Sequence, residues 1–418
     1  MLYECWRQIA RERRSETALT EFPSGRRWTF SRLADTVEKL PTAGDPFIFA
    51  QGHSAEFILD VLRAWRDRAV LCPLEIGQPR PALPLPPKPA RHLKLTSATT
   101  GPARAVLFTP EQLAADAENI VATMGLRQDW PNLGTISLAH SYGFSNLVLP
   151  LLLHGIPLVV VASPLPEIVR LAAENYSSLT LAAVPALWRT WHETNTIPAA
   201  TRLAISAGAP LPAALERDIF PARGLKIHNF YGSSECGGIA YDATETPRID
   251  DACVGSPMCN VALDCDASGC LRVISRAVGL GYWPESDTAL GAGIFLTSDL
   301  AEFRDGKVFL RGRLTDQINV AGRKIFPAAI EQILAAHPAV RECIVFGVPG
   351  NDADRNDTIA ACVVVREKIA AGELKQFLLA RLPAWQVPRE WRFVDSLAAN
   401  ERGKISRAEW RRKFMGQE

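Results

Sequence analysis

The chain has 418 residues, 47% hydrophobic and 22% charged, and its 46 Lys+Arg against 45 Asp+Glu leave a net charge of +1. That length exceeds one ordinary core, so a globular protein of two or more domains is expected. Balanced charge offers neither the basic field that nucleic acid demands nor an acidic tail for a polycation, so no nucleic-acid partner is expected. The longest apolar stretch, Leu147 to Val161, is broken by Pro150, His154, Gly155 and Pro157, which excludes a membrane span of roughly 18–20 residues. The N-terminal MLYECWRQIARERR lacks the apolar core of a signal peptide, and a cytoplasmic location is the expectation.

Along the chain, Phe30 to Val37 starts at a good cap with helical periodicity, and Glu56 to Ala64 reads as an amphipathic helix. Phe47 to Ala50 and Ala69 to Cys72 read as buried strands. The alternation predicts α/β architecture with parallel strands. Residues 78–90 hold six prolines and read as an extended connector. Residues 91–310 repeat the strand–helix pattern, with strands expected at Ile136–Ala139, Pro157–Val161, Leu179–Val184, Leu203–Ser206 and Lys226–Phe230. From Ser256 short strands with Gly and Asp turns predict a β-rich subdomain. A boundary near Leu314 leaves a compact unit of about 100 residues, a size typical of a small domain. Nine cysteines contain no CxxC. The cluster Cys253, Cys259, Cys265 and Cys270 is spaced too regularly and widely for paired zinc ligands, so structural or free thiols are expected.

Three segments carry candidate chemistry. In TSATTGPAR, residues 96–104, hydroxyls and backbone N–H groups can cradle phosphate oxygens with charge from Arg104, or form an ordinary polar turn. It is not a Walker loop. YGSSE, residues 231–235, follows a strand-like run, and α/β proteins bind ligands at the C-terminal ends of parallel strands. Glu235 suits Mg²⁺ and Tyr231 suits a purine face, with a capped helix start as the plain alternative. Near the C-terminus, Lys404 follows Gly403 in a polar loop. Asp299 and Arg313 suit ribose or phosphate oxygens, or are surface charges.

In order and separation these segments resemble the adenylate-forming superfamily of acyl-CoA synthetases, peptide-synthetase adenylation domains and luciferases, over almost the whole chain. The family's TSGTTGxPKG is similar to TSATTGPARA at 96–105, YGxTE to YGSSE at 231–235, TGDL to Thr297–Leu300, and GRxDDxIKxxGxxI to GRLTDQINVAGRKI at 312–325. The lysine loop matches at Gly403-Lys404. The resemblance implies an α/β protein. It implies a large N-terminal domain, 1–313, of mixed and parallel sheets with a β-rich subdomain, joined by a hinge at Thr315 to a small α+β domain, 314–418, that would carry the catalytic lysine.

It further implies ATP-dependent activation of a carboxylic acid to an acyl-adenylate with Mg²⁺, then transfer to a thiol of CoA or of carrier-protein phosphopantetheine, a carrier acting in trans. Thr96, Ser97, Thr99, Thr100, Gly101 and Arg104 would embrace the ATP phosphates, with Glu235 and Thr100 on Mg²⁺. Gly208, Ala209 and Pro210 would line the adenine and acyl pocket. Asn229 would bond the adenine amino group and Tyr231 stack on its ring, beside Gly232 and Ser234. Asp299 and Arg313 would hold the ribose, and His140 would flank the acyl group. Lys404 would touch both the carboxylate and the α-phosphate, and Gly322 would let a pantetheine arm pass. His140, Tyr142, Phe144 and Trp188 lean toward an aryl or medium-sized acid, unless they pack in the core. The chain departs from the family at Ala98, Arg104 and Thr315, and little beyond the proline connector separates Leu74 from Thr96. A degenerate nucleotide binder and an adenylate-former with a non-thiol acceptor remain the alternative functions.

Overall fold

The computed structural model describes residues 1–96, 104–350, 357–397 and 406–416. They form two compact units. The first comprises residues 1–264, 272–296 and 305–308; the second comprises 265–271, 297–304 and 309–418.

The first unit is built on two sheets. In the larger, six strands run parallel in the spatial order 17–22, 158–161, 132–134, 179–183, 201–206 and 227–233. Antiparallel strands 26–29 and 237–241 flank them. The central strands are apolar and buried on both faces, as Leu158–Val161 and Leu179–Ala183 show, the pattern of a parallel sheet covered by helices on both sides. Helices Pro166–Ala173, Pro185–Glu193 and Ala213–Arg223 supply one cover, and Val169, Trp188, Trp191 and Ile219 are wholly buried against Leu181 and Ile227. The smaller sheet has the order 281–283, 105–108, 92–95, 70–71, 47–48. The proline-rich connector joins two of its parallel strands, pairing Leu71 with His92.

Helix Phe30–Lys39 starts where expected, with Thr29 Oγ1 accepting the Arg32 N–H at 3.1 Å. Helix Leu2–Glu12, buried through Leu2, Tyr3, Trp6 and Ala10, is one the sequence reading passed over. The strand expected at Ile136–Ala139 lies instead at Asn132–Gly134. Gly143 explains the difference: a Cβ there would lie 1.9 Å from the Ser137 carbonyl oxygen, so residues 136–140 are bent against the following helix and cannot extend the sheet.

In the second unit, strands 340–349 and 357–365 pair antiparallel and 390–393 joins the latter in parallel. Helices Pro327–Ala335 and Ala371–Leu379 bury Ile330, Leu334, Leu374 and Leu378 against Val345 and Val363. No helix among the described residues is long and apolar enough to cross a membrane.

Candidate active site

Strands 132–134, 179–183, 201–206 and 227–233 are parallel neighbours, so the segments leaving their C-terminal ends emerge on one edge of the sheet, the place where open α/β sheets bind ligands. Three predicted segments lie there. After strand 132–134 comes the bend that ends in His140, whose Nδ1 accepts the Tyr142 N–H at 3.2 Å. After strand 201–206 come Gly208, Ala209 and Pro210. Gly208 has φ +87, a left-handed conformation that favours glycine. On strand 227–233, Asn229 is buried and pairs in register with Ser206, while Tyr231 is half-buried.

The turn bearing Glu235 is a hairpin, not the start of a helix: Ser234–Cys236 connects strands 227–233 and 237–241. Gly232 lies so close to its partner strand that a Cβ would meet the Gly237 carbonyl oxygen at 2.6 Å. Glu235 N–H donates to Ser233 Oγ at 3.2 Å, and its carbonyl accepts from Gly279 N at 2.8 Å. Underneath, Asp116 Oδ1 accepts the Gly238 N–H at 3.3 Å, while its Oδ2 accepts from Ser145 Oγ at 2.6 Å and lies 3.6 Å from Lys94 Nζ. At the other end of strand 227–233, buried Lys226 donates to Glu216 and Asp242 at 2.6 and 2.7 Å. Burial alone would push the Asp242 carboxyl up, but the bonds from Lys226 and Thr244 outweigh it and hold it below the usual carboxylate range.

Thr96 and Arg104 bracket the expected phosphate loop. Thr96 N and Oγ1 both donate to the Arg104 carbonyl, at 2.9 and 3.1 Å, closing the hairpin of strands 92–95 and 105–108. Ser97, Thr99, Thr100, Gly101 and Lys404 lie outside the described residues. The Arg104 guanidinium lies 3.6 Å from the centroid of the Tyr282 ring and reaches Asp287 Oδ2 at 3.1 Å. Tyr282 in turn donates its hydroxyl to Glu235 Oε1 at 3.1 Å. Burial first, and the Glu235 charge second, push the Tyr282 phenol far up, so it is a neutral donor. Sequence reasoning missed Tyr282, Asp287, Lys94 and Asp116. Asp116 had a signal, an acid inside the apolar stripe Leu113, Ala117 and Ile120 of one helix. Gly279 and Gly281 beside Tyr282 marked a close approach without saying to what.

Phe144 and Trp188 are buried to within 1% and belong to the core, with Trp188 packed edge-on against Trp191. Tyr142 is buried too, its hydroxyl donating to the Ile205 carbonyl at 3.3 Å. In the second unit, Arg313 Nε donates to Asp299 Oδ1 at 2.9 Å, so these two residues stand together. Thr315 is exposed in the short helix Leu314–Asp316. Gly322, φ +80, and Ala321, φ +51, form the turn between strands 318–320 and 323–325. Cys253 and Cys270 are buried strand residues, and no group of three or more His, Cys, Asp or Glu side chains among the described residues is arranged to hold a metal ion.

The chain is similar to known proteins in sequence and in fold. The AMP-binding enzyme family pattern matches residues 50–282, and the AMP-binding enzyme C-terminal domain pattern matches residues 329–404. A feruloyl-CoA synthase of Amycolatopsis sp is 29% identical over 346 residues, covering 77% of this chain and 69% of the relative. The fatty acid–[acyl-carrier-protein] ligase ScoC of Streptomyces coeruleorubidus is 28% identical over 428 residues, covering 94% of this chain and 78% of that protein. ATP-bound MatB from Rhodopseudomonas palustris shares the fold, with a TM-score of 0.86 at 18% identity over 99% of both chains. The chain belongs to the AMP-binding enzyme family, within the adenylate-forming superfamily.

Proposed function

We propose that the protein is an acid–thiol ligase. It converts an aryl or medium-sized acyl carboxylic acid to an acyl-adenylate with release of pyrophosphate from ATP, then passes the acyl group to the thiol of CoA or of a carrier protein's phosphopantetheine. The observation that carries this reading is the gathering of His140, Gly208–Pro210 and Asn229–Glu235 along one edge of the parallel sheet, in a member of this family. The feruloyl and fatty-acid names of two relatives support the range of acids, and CoA and acyl-carrier-protein both stand among their acceptors.

A carboxylate is a weak electrophile, so its oxygen first attacks the α-phosphorus and the bond to the bridging oxygen of the departing pyrophosphate breaks. A thiolate then attacks the carbonyl carbon, and AMP leaves with the electron pair of the C–O bond. Both steps crowd anions together, and their barriers fall by positioning and charge stabilisation. Glu235 fits a hard cation: its carboxylate is half-buried at the turn and makes no ion pair among the described residues. With Thr100 it would hold Mg²⁺, which when bound neutralises phosphate charge. Thr96, Ser97, Thr99, Thr100, Gly101 and Arg104 cradle the phosphates in this reading, and Lys404 bridges the carboxylate and the α-phosphate. Asn229 and Tyr231 take the adenine, and Asp299 and Arg313 the ribose. Residues 314–418 turn about Thr315 between the two half-reactions, and Gly322 then lies beside the pantetheine arm.

The test is pyrophosphate release from ATP and Mg²⁺ over a panel of aryl and fatty acids, with and without CoA, for the wild type and Lys404→Ala. Expected is acid-dependent release that falls roughly 10²–10³-fold in the variant, as for removal of a group that stabilises transition-state charge. Stimulation by CoA identifies the acceptor, and its absence directs the second step to carrier proteins. No acid-dependent release from the wild type would sink the reading.

A further inference from the structure

The proposed phosphate and metal ends of the site share one side chain that no motif names. Strand 281–283 pairs antiparallel with 105–108, setting Tyr282 opposite Val106 and Trp283 opposite Ala105. Gly279 permits this approach. A Cβ there would lie 2.6 Å from Val106 Cγ1 and 3.2 Å from the Glu235 carbonyl oxygen, while Gly279 N and Leu280 N bond the carbonyls of Glu235 and Leu107. The backbone around Tyr282 is thus tied both to the Glu235 turn and to the strand that follows Arg104. Its hydroxyl reaches one carboxylate oxygen of Glu235, and its ring carries the Arg104 guanidinium, which also donates to Asp287 Oδ2.

We propose that Tyr282 is a positioning residue for adenylation. Its hydroxyl fixes the rotamer of the Glu235 carboxylate for Mg²⁺, and its ring fixes Arg104 at the end of the phosphate loop, so one phenol sets both. The inference rests on the adenylation reading above. It also accounts for arginine at position 104, where the family's loop carries lysine. A planar guanidinium stacks on an aromatic face and bonds a carboxylate with its edge, whereas an ammonium on a flexible stem is held less firmly by a ring. Partners that orient a metal ligand are worth roughly 10–100-fold in metal affinity or activity when removed.

The experiment compares wild type, Tyr282→Phe, Tyr282→Leu, Glu235→Gln and the double variant Glu235→Gln/Tyr282→Phe. Mn²⁺ binding is measured by EPR in the presence of a non-hydrolysable ATP analogue, beside pyrophosphate-release kinetics and thermal unfolding. Tyr282→Phe keeps the ring and should weaken Mn²⁺ binding and raise the Mg²⁺ needed for half-maximal release roughly tenfold. The KM for the acid and the Tm should stay put. Tyr282→Leu should add a rise in the KM for ATP. In the Glu235→Gln background, Tyr282→Phe should have little further effect, because both changes act on one interaction. Unchanged metal affinity in Tyr282→Phe overturns the inference, as does a uniform loss of stability and of every kinetic constant. Either outcome beside a wild type that releases pyrophosphate normally leaves the adenylation reading intact. A wild type with no acid-dependent release overturns both.

Discussion

Gly232 shows how tightly single residues constrain the turn that bears Glu235. Its place in YGSSE can be read as a flexible link, but the partner strand lies where its Cβ would be, with the Gly237 carbonyl oxygen 2.6 Å away. Backbone cannot yield as a side chain can, so Gly232→Ala should cost roughly 1–3 kcal/mol, the usual range for overpacking, and should slow adenylation by shifting the turn. Gly44→Ala is the control: nothing lies within 4 Å of a Cβ there and its φ is not positive, so stability should hold or rise by about 0.4–1 kcal/mol. Urea denaturation of both variants decides it, and equal midpoints would refute the steric argument. The same residue shows what a motif string carries and what it omits. YGSSE announces a carboxylate beside a hydroxyl in a turn. It does not announce Tyr282, 47 residues further on, as the donor to that carboxylate, because that contact depends on how strands 281–283 and 105–108 pair. Phe144 and Trp188 misled in the opposite direction, since an aromatic residue reads alike in a core and in a substrate pocket.

At the scale of elements, the parallel strands were legible because they are short, continuous apolar runs, buried on both faces. The strand at 132–134 was misplaced for the same reason: Ile136 to Ala139 is the more apolar run, and only packing against Gly143 shows that it must bend. The junctions between elements in the C-terminal unit were not legible at all. Arg407, the first residue of the last helix, donates to Val345 O at 3.1 Å and to Asp316 Oδ2 at 2.6 Å, and also to Glu331 Oε2. One guanidinium thus pins that helix to the residue after Thr315, to helix 327–335 and to strand 340–349. Burial pushes the Glu331 carboxyl up despite Arg407, so the carboxylate depends on its partner. Arg407→Ala should therefore destabilise the C-terminal unit by roughly 2 kcal/mol, the value of hydrogen bonds between charged groups. Hydrogen exchange should show faster exchange in strands 340–349 and 357–365. Arg407→Lys should recover part of the loss, since lysine keeps the charge without the fork. Unchanged exchange in those strands for Arg407→Ala would remove the clamp from the account.

For the molecule as a whole, the arrangement of buried histidines predicts its response to acid. His53, His92, His154 and His228 have their pKa lowered, each chiefly by burial. His92 is the extreme case. It is 1% exposed, with its ring centroid 4.5 Å from that of Phe144 and 6.2 Å from that of Phe108. Neither of its ring nitrogens has a hydrogen-bond partner among the described residues. Lys94, two positions on, disfavours the charged ring further. In the unfolded chain each histidine takes a proton near its ordinary value of about 6.5. The folded chain refuses that proton until a lower pH. Below about pH 6.5 the unfolded state therefore binds more protons, and stability falls as pH falls, down to the folded pKa values, by at most about 1.4 kcal/mol per pH unit for each group. His53, His154 and His228 are partly exposed and contribute less than that limit. The ion-paired Asp242 carboxyl, lowered below its ordinary range, loses its contribution only in more acid solution, and the raised Glu331 carboxyl acts with the opposite sign, so the share of one histidine is read from the difference between the wild type and a variant that lacks it. His92→Phe keeps a ring between Phe144 and Phe108 but removes the nitrogens. Urea unfolding at pH 7.5, 6.5 and 5.5 should give the variant a shallower loss of stability below pH 6.5, by close to one group's share, with the two proteins nearest to one another at the acid end if the new ring packs less well. A slope equal to that of the wild type would mean that His92 takes up its proton in the folded state, and that the smaller sheet opens at strand 92–95 more readily than its burial implies.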